Sequence, residues 1–322
     1  MIKPVLPVGT NDAGISALLR QLLNETIAEN NISNYLTWYY TPMAMEFTGA
    51  LDPGVVVYDC MDELAAFANA PRSMLINEDA LFRTADLVFT GGASLFESKR
   101  KQHPSVHLFP SSVDKEHFAK ARTGLSEPVD QQSIPKPRIG YAGVIDERMD
   151  LELVRQAAAA RPDWQFVFLG PVAKVSPEAL PQAANIHWLG MKPYAELPAY
   201  FSGWQIGFLP FALNESTRFI SPTKTPEYLS AGLHVISTPI RDVVTPYGQL
   251  GLVSIAQNAD EFIAAAEKIF EESENASWQS DVKKFLDQMS WDRTWSAMDQ
   301  LIESVLSSKT RDRPQQRSVL AV

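Results

Sequence analysis

The chain has 322 residues, 45% of them hydrophobic and 20% charged, an ordinary globular balance with room for two domains and two cores. Lys and Arg number 28 against 38 Asp and Glu, and the net charge of −10 argues against a nucleic-acid binder, whose footprint is basic. The single cysteine, Cys60, excludes an intramolecular disulfide and fits a reducing cytoplasm.

The opening residues lack a charged region followed by an apolar core, so no secretory leader is expected. No apolar run reaches the roughly 18 residues that a membrane span needs. Lys3 to Val8 reads as a short strand, confined to an edge by Pro4 and Pro7. From Ala13 to Glu29, Ile15, Leu18, Leu19, Leu22, Leu23 and Ile27 recur at helical spacing. Tyr35–Tyr40 and Val55–Tyr58 are aromatic and β-branched runs of strand length, with a short helical stretch, Met43 to Ala50, between them. Helical sequence runs from Asp62 to about Thr84 with a break near Pro71; Ala85–Thr90 is a buried strand, and a helix starts at Ser94. Val106–Phe109 is a further strand, and Asp114 opens a short helix. Short strands alternating with helices predict parallel pairing in a doubly wound sheet.

Thr123 to Pro137 carries three prolines and no apolar period, and predicts a linker whose core is 126–137. The first domain is then 1–125 and the second 138–290. The alternation restarts with strands at Arg138–Ile145, Trp164–Leu169, Asn185–Leu189 and Trp204–Leu209, and helices at Asp150–Ala160 and Tyr194–Phe201. Leu252–Ile255 and a helix from Asp260 to about Glu271 follow, then amphipathic helices near Trp278–Met289 and Trp291–Leu306. The tail from Lys309 has little period and is expected to fray.

Two loops at strand ends in the second half are suited to an anionic ligand. In Ser221-Pro-Thr-Lys-Thr-Pro-Glu227, Thr225 is the expected N-cap and Pro226 the first helical residue, which has no N–H to waste. Lys224 just outside that helix start could neutralise a diphosphate, and Glu227 just inside could accept from a ribose diol. Gly232 suits the residue that ends the helix, and His234–Thr238 reads as a strand. The other loop is Gly140-Tyr-Ala-Gly143-Val-Ile-Asp146-Glu147-Arg148, where Gly143 lets backbone approach a phosphate and Arg148 could pair with it. Either loop, taken alone, is equally consistent with a capped turn carrying solvent-facing charge.

The segments R-I-G-Y-A-G-V-I-D-E-R-M-D, N-I-H-W-L-G, F-L-P-F, S-P-T-K-T-P-E-Y-L-S-A-G-L-H-V-I-S-T-P and L-F-P-S-S-V-D-K-E-H-F together resemble the GT-B glycosyltransferases. They are most similar to the bacterial family 4-like, retaining branch (glycosyl transferase group 1 type), in the subgroup carrying V-Y-D-C-M-D-E-L-A-A-F. The likeness runs from about Trp38 to Leu306 and is more specific in the second half. It implies an α/β fold of two Rossmann-like doubly wound parallel-sheet domains facing a cleft, where open α/β sheets bind ligands. A nucleotide-diphosphate-sugar donor would sit on the second domain and a saccharide or lipid-linked acceptor on the first.

By position, the resemblance places Lys224 on the donor diphosphate and Glu227 on the ribose, with Gly143 and Arg148 beside the phosphates. Lys224 and Arg148 are the expected catalytic cations; Ser221, Thr223, Thr225 and Asn214 join the donor site, and the Trp188-Leu-Gly190 turn borders the base. The helix from Trp291 to about residue 308 would cross back to brace the first domain. Two departures stand out. Relatives carry an earlier glutamate in the loop before Glu227, and that position falls here on Phe219, leaving Asn214, Glu215 or Arg218 as substitutes. The first half is also short by about one βαβ unit of about 30 residues.

The remaining chemistry-bearing residues read as structural. Asp59, Asp62 and Glu63 form no D-x-D, the histidines at 103, 107, 117, 187 and 234 lack metal-ligand spacing, and Cys60 reads as a core thiol. His107, in a strand, is a weaker candidate base. Lys99-Arg100-Lys101 reads as a solvated helix end.

The expectation is a metal-independent, retaining hexosyltransferase without cofactor, in cell-surface polysaccharide biosynthesis. It would be cytoplasmic, with a peripheral contact at the inner face of the membrane. A non-catalytic nucleotide-sugar-binding or scaffold protein of the same fold is the alternative, and a nucleotide-sugar epimerase a third.

Overall fold

The computed structural model describes residues 4–6, 11–67, 69–271 and 276–312. Most of the Lys3–Val8 segment and the tail beyond residue 312 lie outside the described residues, and residues 4–6 form no regular element. The chain divides into two compact units, Met1–Phe109 with Trp295–Val322, and Pro110–Thr294.

In the first unit four parallel strands lie in sequence order, β1 (Leu36–Tyr39), β2 (Val55–Cys60), β3 (Leu87–Thr90) and β4 (Val106–Leu108). The long amphipathic run forms the helix Asp12–Glu29, capped by the Asn11 side chain, which accepts from the Gly14 amide. Side chains alternate across a strand. One face therefore presents Val55, Val57, Leu87 and Phe89, and these pack with Ile302, Met298 and Leu306 of the closing helix, Trp291–Asp312. That helix runs antiparallel to the strands: Trp295 stacks on Trp38, while Lys309 pairs with Asp86 at 2.7 Å. The other face carries a buried charge network in which Lys99 lies 3.0 Å from Glu63 and 2.9 Å from Glu78, and the Tyr58 hydroxyl donates to Glu78 at 2.7 Å. Lys99, expected at a solvated helix end, is only 2% exposed. Burial opposes its charge, yet Glu78, Cys60 and Glu63 more than offset that and hold its pKa above the ordinary value. Burial pushes the Cys60 thiol up to about 12, consistent with an inert core group.

The second unit holds six parallel strands in the order β10-β9-β8-β5-β6-β7. They are β5 (Arg138–Ala142), β6 (Gln165–Leu169), β7 (Ile186–Trp188), β8 (Ile206–Leu209), β9 (His234–Ser237) and β10 (Ser254–Ile255). The first strand of the unit is central. The chain winds outward through β6 and β7, then returns to the other side of β5 for β8, β9 and β10, so the order reverses between β5 and β8. β5, β6 and β8 are buried throughout, as a sheet covered on both faces requires.

The 126–137 stretch behaves differently from a linker. Residues from Pro110 onward belong to the second unit, and Val113, Phe118, Ala121 and Ile134 join its core. Gln131 is fully buried, donating to the Tyr200 carbonyl and accepting from the Trp204 indole, each at 2.9 Å. Arg138 reaches back to Glu127. The segment is held by polar side chains, which leave no hydrophobic period in the sequence. Among the described residues no helix is long and apolar enough to cross a membrane.

Candidate active site

Open parallel sheets bind ligands outside the carboxyl ends of their strands, where the strand order reverses. In the second unit that point is the pair of loops leaving β5 and β8. They are pinned together: the Asp150 amide donates to the Pro210 carbonyl at 2.7 Å, and the Ala212 amide to the Arg148 carbonyl at 2.8 Å. The fully buried Tyr228 braces the sheet beneath, its hydroxyl accepting from the Ala142 amide at 2.7 Å.

Three glycines end neighbouring strands here. Gly143 donates to the Leu169 carbonyl and Gly170 to the Gly190 carbonyl, each at 2.9 Å. A Cβ on Gly143 would meet the Tyr141 hydroxyl at 2.7 Å. The tighter position is Gly170, which the sequence reading did not select: its φ is +142°, and a Cβ would lie 1.8 Å from the Gly143 carbonyl oxygen. No other residue fits there. Its signal was available, because F-L-G after β6 repeats Y-A-G after β5 and W-L-G after β7.

The expected cations are both present, and both are matched by carboxylates. Arg148 donates through Nε and Nη2 to Asp146 at 2.7–3.0 Å, and its backbone amide joins the same carboxylate. Lys224 Nζ lies 2.7 and 2.9 Å from the two oxygens of Glu227. Neighbouring Glu147 reaches Lys174 at 3.3 Å, while its buried Oε2 has no hydrogen-bond partner among the described residues. No group of three or more His, Cys, Asp or Glu among the described residues is arranged to hold a metal ion.

The helix after the second loop spans Lys224–Ser230, so Thr223 rather than Thr225 is its N-cap and Pro226 its third residue. The physical reason is a turn closed by the Thr225 amide on the Pro222 carbonyl at 3.2 Å, which starts the helix a residue earlier. Pro226 still costs nothing, since the first four helical amides have no intrahelical acceptor. Thr225 is fully buried and its hydroxyl has no hydrogen-bond partner among the described residues, whereas Thr223 is exposed and Ser221 half-buried.

Burial pushes the Glu227 carboxyl above its ordinary value, against the pull of Lys224 and of His117. His117 is a neighbour the sequence did not reveal as part of the site. It stacks on Tyr194 with centroids 4.4 Å apart, and its Nε2 lies 3.0 Å from the Tyr194 carbonyl oxygen. Burial, then Glu227 and Asp114, raise the Tyr194 phenol.

Other expected members have structural duties. The Asn214 side-chain Oδ1 caps a single turn, accepting from the amides of Ser216 and Thr217. The Trp188 ring stacks on Phe168 at 4.3 Å and its indole donates to Pro181. Gly190 has φ +71° with open space where a Cβ would stand. At the Phe219 position, Arg218 lies over the Phe219 ring and pairs with exposed Glu215, so those two substitutes are engaged with each other.

Residues 136–272, which contain every one of these loops, match the family model described as glycosyl transferases group 1. A Bacillus subtilis (strain 168) protein named as a teichuronic acid biosynthesis glycosyltransferase, TuaH, is 28% identical, with 78% of this chain and 68% of the relative covered. The chain is a glycosyltransferase. Solved structures agree on the fold of this glycosyltransferase, two Rossmann-like parallel-sheet domains of the GT-B kind. Sucrose-phosphate synthase from Thermosynechococcus elongatus gives a TM-score of 0.70 at 14% identity, covering 93% of this chain and 81% of its own. Anabaena Alr3699/HepE, solved with UDP and glucose, gives 0.67 at 12% identity, covering 95% and 83%.

Proposed function

We propose that this glycosyltransferase moves a sugar from a nucleotide-diphosphate donor to a saccharide or lipid-linked acceptor in cell-wall polysaccharide biosynthesis. The transfer is retaining and metal-independent, and takes place at the cytoplasmic face of the membrane. The observation that carries the reading is the arrangement at the strand-order reversal of the second sheet. Glycine turns there leave backbone accessible, and Arg148 and Lys224 stand on the two loops that flank the reversal.

In transfer the bond from the anomeric carbon to the diphosphate oxygen breaks, and its electron pair leaves with the diphosphate. The acceptor hydroxyl forms the new bond at the same carbon and passes its proton to the departing diphosphate oxygen. Stabilising the departing charge by preorganised cations is the largest contribution such a site can make. Lys224 and Arg148 supply it, exchanging part of their contact with Glu227 and Asp146 for the donor. Glu227 accepts from the ribose diol, the Gly143 turn admits the phosphates, and the Trp188-Leu-Gly190 turn borders the base. Ser221, Thr223 and the Thr225 hydroxyl complete the polar lining, with Asn214 at its edge. The TuaH name and the UDP and glucose in HepE support the polysaccharide and nucleotide-sugar assignments.

A melting panel of nucleoside diphosphates tests the donor. A nucleotide at about a hundred times its Kd adds about 2.7 kcal/mol of apparent stability. The base giving the shift names the donor class, and release of diphosphate from the matching sugar nucleotide then reports turnover. Absence of any shift across the panel overturns the assignment.

A further inference from the structure

The first unit has its own feature at the carboxyl ends of its strands. Trp38 on β1 lies beside two rings, that of Tyr40, which directly follows the strand, at 6.4 Å between centroids, and that of Trp295 on the closing helix at 6.1 Å. Tyr40 is 64% exposed and Trp295 55% exposed, although Trp38 beneath them is largely covered and packs edge-on against Phe89 at 5.5 Å. Beside Trp38 is Asp59 of β2, 5% exposed, with Oδ2 accepting from the Trp38 indole at 3.0 Å. Burial pushes that carboxyl above its ordinary value, with the indole pulling the other way; burial and then Asp59 raise the Tyr40 phenol.

A buried carboxylate is costly unless paired or well hydrogen-bonded, and among the described residues no cation pairs with Asp59. A carboxylate offers about four acceptor positions, and one neutral indole uses a single one. Two large aromatic side chains are meanwhile left more than half in water. Rigid aromatic faces beside a hydrogen-bond acceptor and a phenol match a pyranose, which has apolar C–H faces and a rim of hydroxyl donors. A lipid chain would gain nothing from Asp59.

We infer that Trp38, Tyr40 and Trp295, with Asp59 beside Trp38, form a shelf that takes a sugar ring of the saccharide acceptor. The inference rests on the transferase reading above, and adds the residues and the ligand class of the acceptor side. Tyr40 and Trp295 supply the stacking faces, and Asp59 accepts from ring hydroxyls.

Saturation-transfer NMR on the full chain tests it, with the methyl glycosides of glucose, N-acetylglucosamine and glucuronic acid as probes. Transfer to the ring C–H protons of at least one glycoside is expected. Binding should weaken about tenfold in Trp295→Ala and in Tyr40→Ala, the size of one aromatic contact of about 1.4 kcal/mol, and should persist in Trp295→Phe. Both side chains are more than half exposed, so the alanine variants should fold. Transfer that is equal in wild type and both alanine variants, or transfer to none of the glycosides, overturns the shelf. The nucleotide-induced melting shift of the same samples reports on the second unit alone. Its failure would fall on the donor assignment, so the two ideas are tested separately.

Discussion

Lys224→Ala bears most directly on the proposed chemistry, and its consequences separate into two parts. Lys224 sits with Nζ 2.7 Å from Glu227, its side chain 24% exposed and that of Glu227 12%. Two unit charges about 4 Å apart interact by about 4 kcal/mol at an effective dielectric of about 20. Removing one preorganised donor from a departing anion costs about 2.7–4 kcal/mol, or about 10²–10³ in turnover. The second part is the orphaned Glu227: burial already raises its carboxyl, and losing Lys224 removes the first of the groups that hold it down. It should therefore take up a proton nearer neutrality, so the stability loss stays below the roughly 3–5 kcal/mol of a broken buried ion pair. Diphosphate release from the donor chosen by the melting panel gives kcat and KM, and thermal unfolding gives stability. In the double variant Lys224→Ala with Glu227→Gln, stability should recover while turnover stays low. Turnover of a folded Lys224→Ala variant within about threefold of wild type would refute the electrostatic role.

Lys99→Met should destabilise the first unit by about 3–5 kcal/mol in urea unfolding, because Glu63 and Glu78 lose their shared cation in a buried site. Replacing Glu78 by Leu in the same chain should return part of that loss. Gly170→Ala should cost more than about 3 kcal/mol, since the backbone must move to clear the Gly143 carbonyl. Gly190→Ala, in open space at φ +71°, should cost only about 1 kcal/mol, so equal losses in the two variants would contradict the geometry. The pH dependence follows from Glu227. Its folded carboxyl holds a proton more tightly than in the unfolded chain, so its contribution to stability is present below the ordinary 4.5 and lost as pH rises through the raised value. Wild type should therefore lose stability relative to Glu227→Gln as the pH of the melting buffer rises above 4.5.

The strands were legible because β-branched and aromatic runs such as Val55–Cys60 and Gln165–Leu169 are short, apolar and bounded by turn residues. The Trp291–Asp312 helix was legible from its period. The packing of residues 126–137 was not, because Gln131, Glu127 and Arg138 hold that stretch by hydrogen bonds and charge, to which apolar periodicity is blind. The cap at Thr223 was missed because S-P-T-K-T-P offers two threonines, and the turn closed on Pro222 decides between them. His117 and Tyr194 are 77 residues apart and meet only through packing, so nothing local announces either. Gly170 was overlooked although F-L-G repeats Y-A-G and W-L-G; the repeat marks the position, and the backbone angle shows that nothing else fits there.

The apolar face of Val55, Val57, Leu87 and Phe89 is covered by the closing helix, whose contact residues begin at Met298. As the chain leaves the ribosome, about 200 residues separate that face from its cover, an interval on the order of 10–40 s at about 5–20 residues per second. The second unit, continuous from Pro110 to Thr294, is fully synthesised before the first can close. The first sheet thus waits with an apolar face uncovered until the closing helix has been made, an interval in which a chaperone could shield it.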